Sequence, residues 1–228
     1  MVVQFESFQE ADAVYVFFDV RGFTPWSRKN PGDIRRLVSI LYNLADEVFE
    51  SKAEAKQKRR VIKNLGDGCF CVNEYKNDSL VGESATTSFM NIIQCYHYFQ
   101  LALSKSNIHG KKSLDLGFGC SYGSSHRFYT KGQSIDFVGE KVNLAARLCS
   151  KAEPGQVAFE NELSGYFMRA AEQLDCPGLV VDDHSEEMKG YGQVLFSTAR
   201  LQFSKKVLDR LYRTGHEELY IERLLRHI

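Results

Sequence analysis

The stretch RVIKNLGDGCFCVN, Arg60 to Asn73, sets two β-type runs on either side of Gly66-Asp67-Gly68. Paired glycines allow a reversal that few other residues permit, so Arg60–Leu65 and Cys69–Asn73 form an antiparallel hairpin with Asp67 at its tip. Helical periodicity flanks it on both sides. Upstream, Pro31 to about Lys52 carries Ile34, Leu37, Val38, Leu41, Leu44, Ala45 and Val48 on one stripe. Downstream, Glu83 to Lys105 forms a second long helix. Apolar strands precede and follow, Val14–Asp19 and Leu114–Tyr122. Strand, helix, hairpin, helix, strand is the order of a ferredoxin-like βαββαβ core, hence the α+β class. Such a core lays the end of its first strand beside the hairpin, which makes Asp19 and Asp67 neighbours.

Further elements are appended to this core. Asn30 before Pro31 reads as a helix cap, and Lys56–Arg60 as a solvated basic loop. Ser124–Ser134 is polar and reads as an irregular loop, followed by a helix over Val138–Ser150 that Pro154-Gly155 closes off. Gln156–Phe159 reads as a short strand and Glu162–Leu174 as a helix. Leu179–Ala199 then reads as two strands around Lys189-Gly190-Tyr191-Gly192. From about Phe203 the chain has amphipathic helical character, so residues 1–200 read as one domain and 201–228 as a C-terminal helical extension.

Bulk properties narrow the partners. Lys and Arg number 29 against 29 Asp and Glu, so no global charge favours nucleic acid, and phosphate binding must come from local geometry. No apolar run approaches the roughly 20 residues of a membrane-spanning helix, and the N-terminus lacks the basic region of a signal peptide. The expectation is a cytosolic (cytoplasmic) protein with no membrane span and no nucleic-acid partner. The six cysteines include no C-x-x-C pair and read as reduced, buried thiols rather than zinc ligands.

Two carboxylates converging from a strand end and a hairpin tip suit a pair of hard divalent cations about 3.5–4 Å apart, the arrangement that clamps both oxygens of a phosphoryl transfer. The plainer reading is a pair of turn aspartates accepting backbone amides. Gly22, Phe23 and Thr24 favour the first, because their amides follow Asp19 directly and form a potential nest for a triphosphate.

The segments FFDVRGFT, IKNLGDG, DFVGEKVNLAAR, PGQV and MKGYGQ occur in the order and spacing of class III nucleotidyl cyclases, and the chain resembles the catalytic domains of that adenylyl and guanylyl cyclase family over roughly residues 13 to 200. The resemblance implies that Asp19 and Asp67, with the Val20 carbonyl, hold two Mg²⁺ or Mn²⁺ ions that activate the ribose 3′-hydroxyl and neutralise the triphosphate. It implies that Asn143 orients the ribose, that Arg147 stabilises the pentavalent phosphorus, and that Lys189 binds the β/γ-phosphates. Lys63 and Asp136 fall on the base-reading positions. A lysine donor faces the acceptor N1 of adenine and a carboxylate accepts from its exocyclic amine, whereas guanine reverses both groups. The family builds its pocket across a dimer, with the aspartates from one subunit and Lys63, Asp136, Asn143, Arg147 and Lys189 from the other. A homodimer with two sites follows, since this chain carries both sets.

The family often has an arginine just after the glycine matching Gly123, where this chain has Ser124; Arg127 is a substitute only if its loop is shifted. The favoured reaction is ATP to cyclic AMP and pyrophosphate. The alternative is a pyrimidine cyclase acting on UTP or CTP. Chains of this size resemble such enzymes of anti-phage operons, and Phe18, Phe70, Tyr42 or Phe137 are the side chains available to shrink the pocket. An inactive cyclase-homology dimerisation module is the remaining reading, disfavoured because no metal aspartate or transition-state arginine is lost.

Overall fold

The computed structural model of the protein describes residues 5–50, 58–76, 80–130, 135–173 and 180–201. Strand β1 (Phe5–Arg21) leads into a short helix α1 (Phe23–Lys29), a single 3₁₀ turn and helix α2 (Ile34–Phe49). The hairpin β2 (Lys58–Asn64) and β3 (Gly68–Tyr75), helix α3 (Val81–Lys105) and strand β4 (Asp115–Thr130) complete the core. Strand β5 (Ile135–Val138), α4 (Glu140–Lys151), β6 (Gln156–Glu160), α5 (Ser164–Gln173) and the hairpin β7 (Val181–Met188) and β8 (Gly192–Arg200) follow.

Sheet order β2-β3-β1-β4-β6-β8-β7 contains the ferredoxin-like order in its first four strands, with β5 paired to the far half of β4. Only β4 and β6 run parallel among these pairs; β1 is antiparallel to both β3 and β4. Alternation along β1 sends Val14, Val16, Phe18 and Val20 to the face covered by α2 and α3, and Ala13 and Tyr15 to the other face, over which α4 lies. Leu37, Ile40, Leu41, Leu44, Ala45 and Val48 form the buried stripe of α2. Each fully buried aliphatic chain of this kind contributes roughly 1.5–3 kcal/mol.

Several sequence expectations need correction. The first strand begins at Phe5 rather than Val14, because residues 5–12 continue into an arm paired with Ser124–Thr130. That same pairing turns residues 124–130 from the expected loop into strand; residues 131–134 lie outside the described residues. Lys58–Arg60 belong to β2 rather than to a solvated loop. The helix expected from Pro31 begins at Ile34, behind a 3₁₀ turn. Asn30 does not cap it: its Nδ2 donates 2.9 Å back to the Trp26 carbonyl and closes α1 instead. Val138 ends a strand, and α4 starts two residues later. The tail expected from Phe203, together with Cys176, lies outside the described residues. The other five cysteines are free and buried, and among the described residues no helix is long and apolar enough to cross a membrane.

Candidate active site

Asp19 and Asp67 are brought together by main-chain pairing. Asp19 lies opposite Gly68 in the β1–β3 register, and the Val20 amide donates 2.8 Å to the Asp67 carbonyl. Gly68 is required there, since a Cβ would stand 2.5 Å from the Phe18 carbonyl oxygen. The hairpin tip is fixed by Leu65 donating to the Gly68 carbonyl at 2.7 Å and by the Tyr42 hydroxyl, 3.0 Å from both the amide and the carbonyl of Gly66. The amide and carbonyl of a strand residue point to one edge, so the Val20 carbonyl faces this tip as well.

Burial raises the pKa of Asp19, the Arg21 guanidinium opposes that shift and the charge of Asp67 adds to it. Arg21 Nε stands 3.2 Å from Asp19 Oδ1, yet the contact is misaligned and that buried oxygen accepts no hydrogen bond. A buried carboxylate oxygen left without a donor, beside a second carboxylate and a carbonyl, is a donor set of the kind hard divalent cations take. Among the described residues no group of three or more His, Cys, Asp or Glu that could hold a metal ion is present, so a cation at this pair would draw its remaining ligands from substrate phosphates or water. Arg21 itself crosses Gly117 and donates from Nη2 to the Cys149 carbonyl in the last turn of α4.

Gly22 adopts a left-handed φ of 78° and starts α1, whose first amides, on Phe23 and Thr24, have no carbonyl within the helix to serve. Trp26 holds α1 in place by donating from Nε1 to the His109 carbonyl at 2.7 Å. Beside it, Asp33 accepts from the His109 amide at 3.0 Å and lies 2.8 Å from His109 Nδ1. Those contacts, the amide first, lower the pKa of Asp33.

On the face of the sheet covered by α4, which Asp19 shares, Lys63 Nζ pairs with Asp136 Oδ2, while Oδ1 accepts from the Phe137 amide at 2.9 Å. The two positions expected to read the base therefore meet within one subunit, on β2 and β5. Helix α4 packs directly on the main chain of β4: a Cβ on Gly119 would lie 2.0 Å from the Cys149 nitrogen and 2.2 Å from the Ala145 oxygen. Asn143 and Arg147, four apart, share a face of α4. Cys149 faces the sheet, and Arg147 is about 200° around the helix from it, so Arg147 turns away from its own Asp19. Its guanidinium lies over the Tyr191 ring, 5.5 Å from the centroid. Lys189 is exposed in the β7–β8 turn.

Arg127 stays on strand β4 and pairs with Glu74 at 2.7 Å and with Gln9 at 2.6 Å. Its cross-strand partner on β1 is Gln9, far along that strand from Asp19. Sequence reasoning passed over Arg21 and Tyr191, although both stand inside the quoted segments. The two-residue spacing from Asp19, which puts Arg21 on the same face of a strand, was a signal for the first. For the second the signal was an aromatic between two turn glycines.

The sheet order, the aspartate pair and the α4 face together define a nucleotidyl cyclase catalytic domain. The sequence model of the adenylate and guanylate cyclase catalytic domain matches residues 6–194, and the chain belongs to that family: it is a class III cyclase, a lyase. No curated protein matches it by sequence alone. Among solved structures, the adenylyl cyclase CyaB from P. aeruginosa is similar with a TM-score of 0.64 at 15% identity, over 88% of this chain and 98% of that one. The guanylyl cyclase Cya2 gives 0.61 at 18% identity, over 84% and 92%. The guanylate cyclase domain of RhGC from Catenaria anguillulae, in complex with GTP, gives 0.59 at 17%, over 86% and 100%. Adenylyl and guanylyl enzymes both stand among these neighbours, so the fold does not select the base.

Proposed function

We propose that the protein converts ATP to 3′,5′-cyclic AMP and pyrophosphate. The observation that carries the choice of base is the Lys63–Asp136 pair, an ammonium donor and a carboxylate acceptor side by side on one rim. Adenine offers N1 as acceptor and its amine as donor, and so satisfies both groups; guanine leaves both mismatched, which is costly in a desolvated site. Asp19, the Val20 carbonyl and Asp67 would hold two Mg²⁺ or Mn²⁺ ions, which supply activation of the 3′-hydroxyl and charge neutralisation of the triphosphate. Gly22, Phe23 and Thr24 present amides to the phosphates, and Lys189 adds a mobile charge. Asn143 orients the ribose. Arg147 offers a planar, permanently charged fork to the oxygens of the α-phosphorus as charge builds there.

The outward turn of Arg147 supports a site shared between two copies of the chain. Asp19 and Asp67 then act with Asn143, Arg147, Lys63, Asp136 and Lys189 of the second copy, giving a homodimer two composite sites.

The alternative is a pyrimidine cyclase acting on UTP or CTP, for which four side chains are available to shrink the pocket. Phe18 is buried on the opposite face against Phe49 and Phe118, Tyr42 is committed to the hairpin tip, and Phe137 is buried under α4. Phe70, opposite Lys63 in the β2–β3 register, is buried in the same cluster and stacks on Phe17. The deciding experiment incubates the purified protein with each of the four nucleoside triphosphates and Mn²⁺ and identifies the cyclic product by mass. Cyclic AMP as the main product is expected; turnover of UTP or CTP at least about ten times faster than ATP would overturn the choice.

A further inference from the structure

We infer that Tyr191 is a positioning residue for Arg147 and joins the turn that carries Lys189 to the helix that carries the arginine; this rests on the role proposed above for Arg147. Gly190 and Gly192 flank Tyr191 with φ of 88° and 70°, left-handed values that an L side chain rarely adopts. The Tyr191 amide donates 2.9 Å to the Met188 carbonyl and closes the turn. The side chain then reaches back to α4, where its hydroxyl donates 2.7 Å to the Glu140 carbonyl in the first turn. Its ring lies beneath the Arg147 guanidinium two turns further along, 5.5 Å from the centroid.

A guanidinium that must meet a phosphorus transition state gains from being held before substrate arrives. An aromatic partner does this while consuming little of the fork: the cation rests against the ring and, beyond its contact with the Tyr191 hydroxyl, keeps N–H groups for phosphate oxygens. A carboxylate partner would have occupied those donors and reduced the charge offered. The same side chain fixes the spacing between Lys189 and Arg147, two cations that bear on one triphosphate. The ring also touches the apolar cluster of Leu144 and Leu148, so a test must separate aim from packing.

Steady-state kinetics with ATP and Mn²⁺ on Tyr191→Phe, Tyr191→Leu and Tyr191→Met provide it, since methionine keeps the bulk without the π-face. Tyr191→Phe keeps the ring and is expected within about threefold of wild type. Leucine and methionine are expected to lower kcat about tenfold or more with KM little changed, as for loss of an interaction made in the transition state. Repeating the Tyr191→Met change in an Arg147→Lys background should cost much less, because the planar cation it serves is gone. Thermal unfolding of each variant reports packing separately. A Tyr191→Met enzyme within twofold of wild type, or an equal loss in both backgrounds, would overturn the inference while leaving the role of Arg147 intact. An Arg147→Ala enzyme with full activity would overturn both.

Discussion

Lys63 on β2 and Asp136 on β5 neutralise each other across the rim of a single subunit, the carboxylate half-buried and the ammonium exposed. On the base-reading role proposed above, an entering base exchanges this ion pair for two hydrogen bonds of its own, so the pair would contribute selectivity more than affinity. In Lys63→Glu combined with Asp136→Cys the donor and acceptor order is inverted. ATP turnover should fall and GTP turnover rise, with the ratio moving about 10². Unchanged preference in competition between the two nucleotides would detach this pair from base choice.

Replacing Asp19 or Asp67 by alanine should lower turnover by more than about a hundredfold. Circular dichroism and the elution volume should stay those of wild type, because each carboxylate sits at a strand end rather than in the core. Activity at a tenth of wild type or better would remove that aspartate from the metal set.

Subunits carrying Asp67→Ala and subunits carrying Arg147→Ala should each be nearly inactive and regain activity when mixed. Half the dimers in an equal mixture are hybrids with one intact site of two, so about a quarter of the wild-type rate is expected for freely exchanging isologous dimers. If exchange is demonstrated by mass and the mixture stays inactive, the shared site is wrong.

Acid should weaken the anchorage of α1 through Asp33. The pKa of this carboxylate is lowered in the folded protein by the His109 amide and ring. Its contribution is therefore complete above the ordinary carboxylate pKa of about 3.9 and lost as pH falls through the depressed folded value. The gap in melting temperature between wild type and Asp33→Asn should narrow as pH falls below about 4. A gap that persists undiminished at pH 3 would contradict this.

Gly119→Ala should destabilise by about 1–3 kcal/mol, since the new Cβ meets the α4 main chain and not a side chain that can rotate aside. A denaturation midpoint equal to that of wild type would show that the helix can lift.

The core was readable from sequence because each of its elements imposes a period. The α2 stripe repeats every three to four residues, the hairpin announces itself through Gly66 and Gly68, and the adjacency of Asp19 and Asp67 then follows from connectivity. Residues 124–130 were not readable: Ser124, Ser125, His126 and Arg127 form a strand whose partner is the N-terminal arm of β1, beyond the main core. With little buried face to impose alternation, a polar strand and a polar loop look alike. Helix α1 is too short to show a period, and Asn30 was misread because the bond that satisfies it runs back to Trp26 instead of forward into α2. The separate placement of Arg147 and Asp19 needed three dimensions, since it depends on which side of α4 is pressed against Gly119.

That contact at Gly119 gives α4 a seat that no side chain makes. With main chain resting on main chain, the height and roll of α4 are set by the backbone of β4, and ordinary core substitutions have no side chain there through which to re-aim Asn143 or Arg147. Lys63 and Asp136 stand on β2 and β5, outside this seat. On the roles proposed above, a change of nucleobase then calls for substitutions on β2 and β5, away from the main-chain contact that seats Asn143 and Arg147.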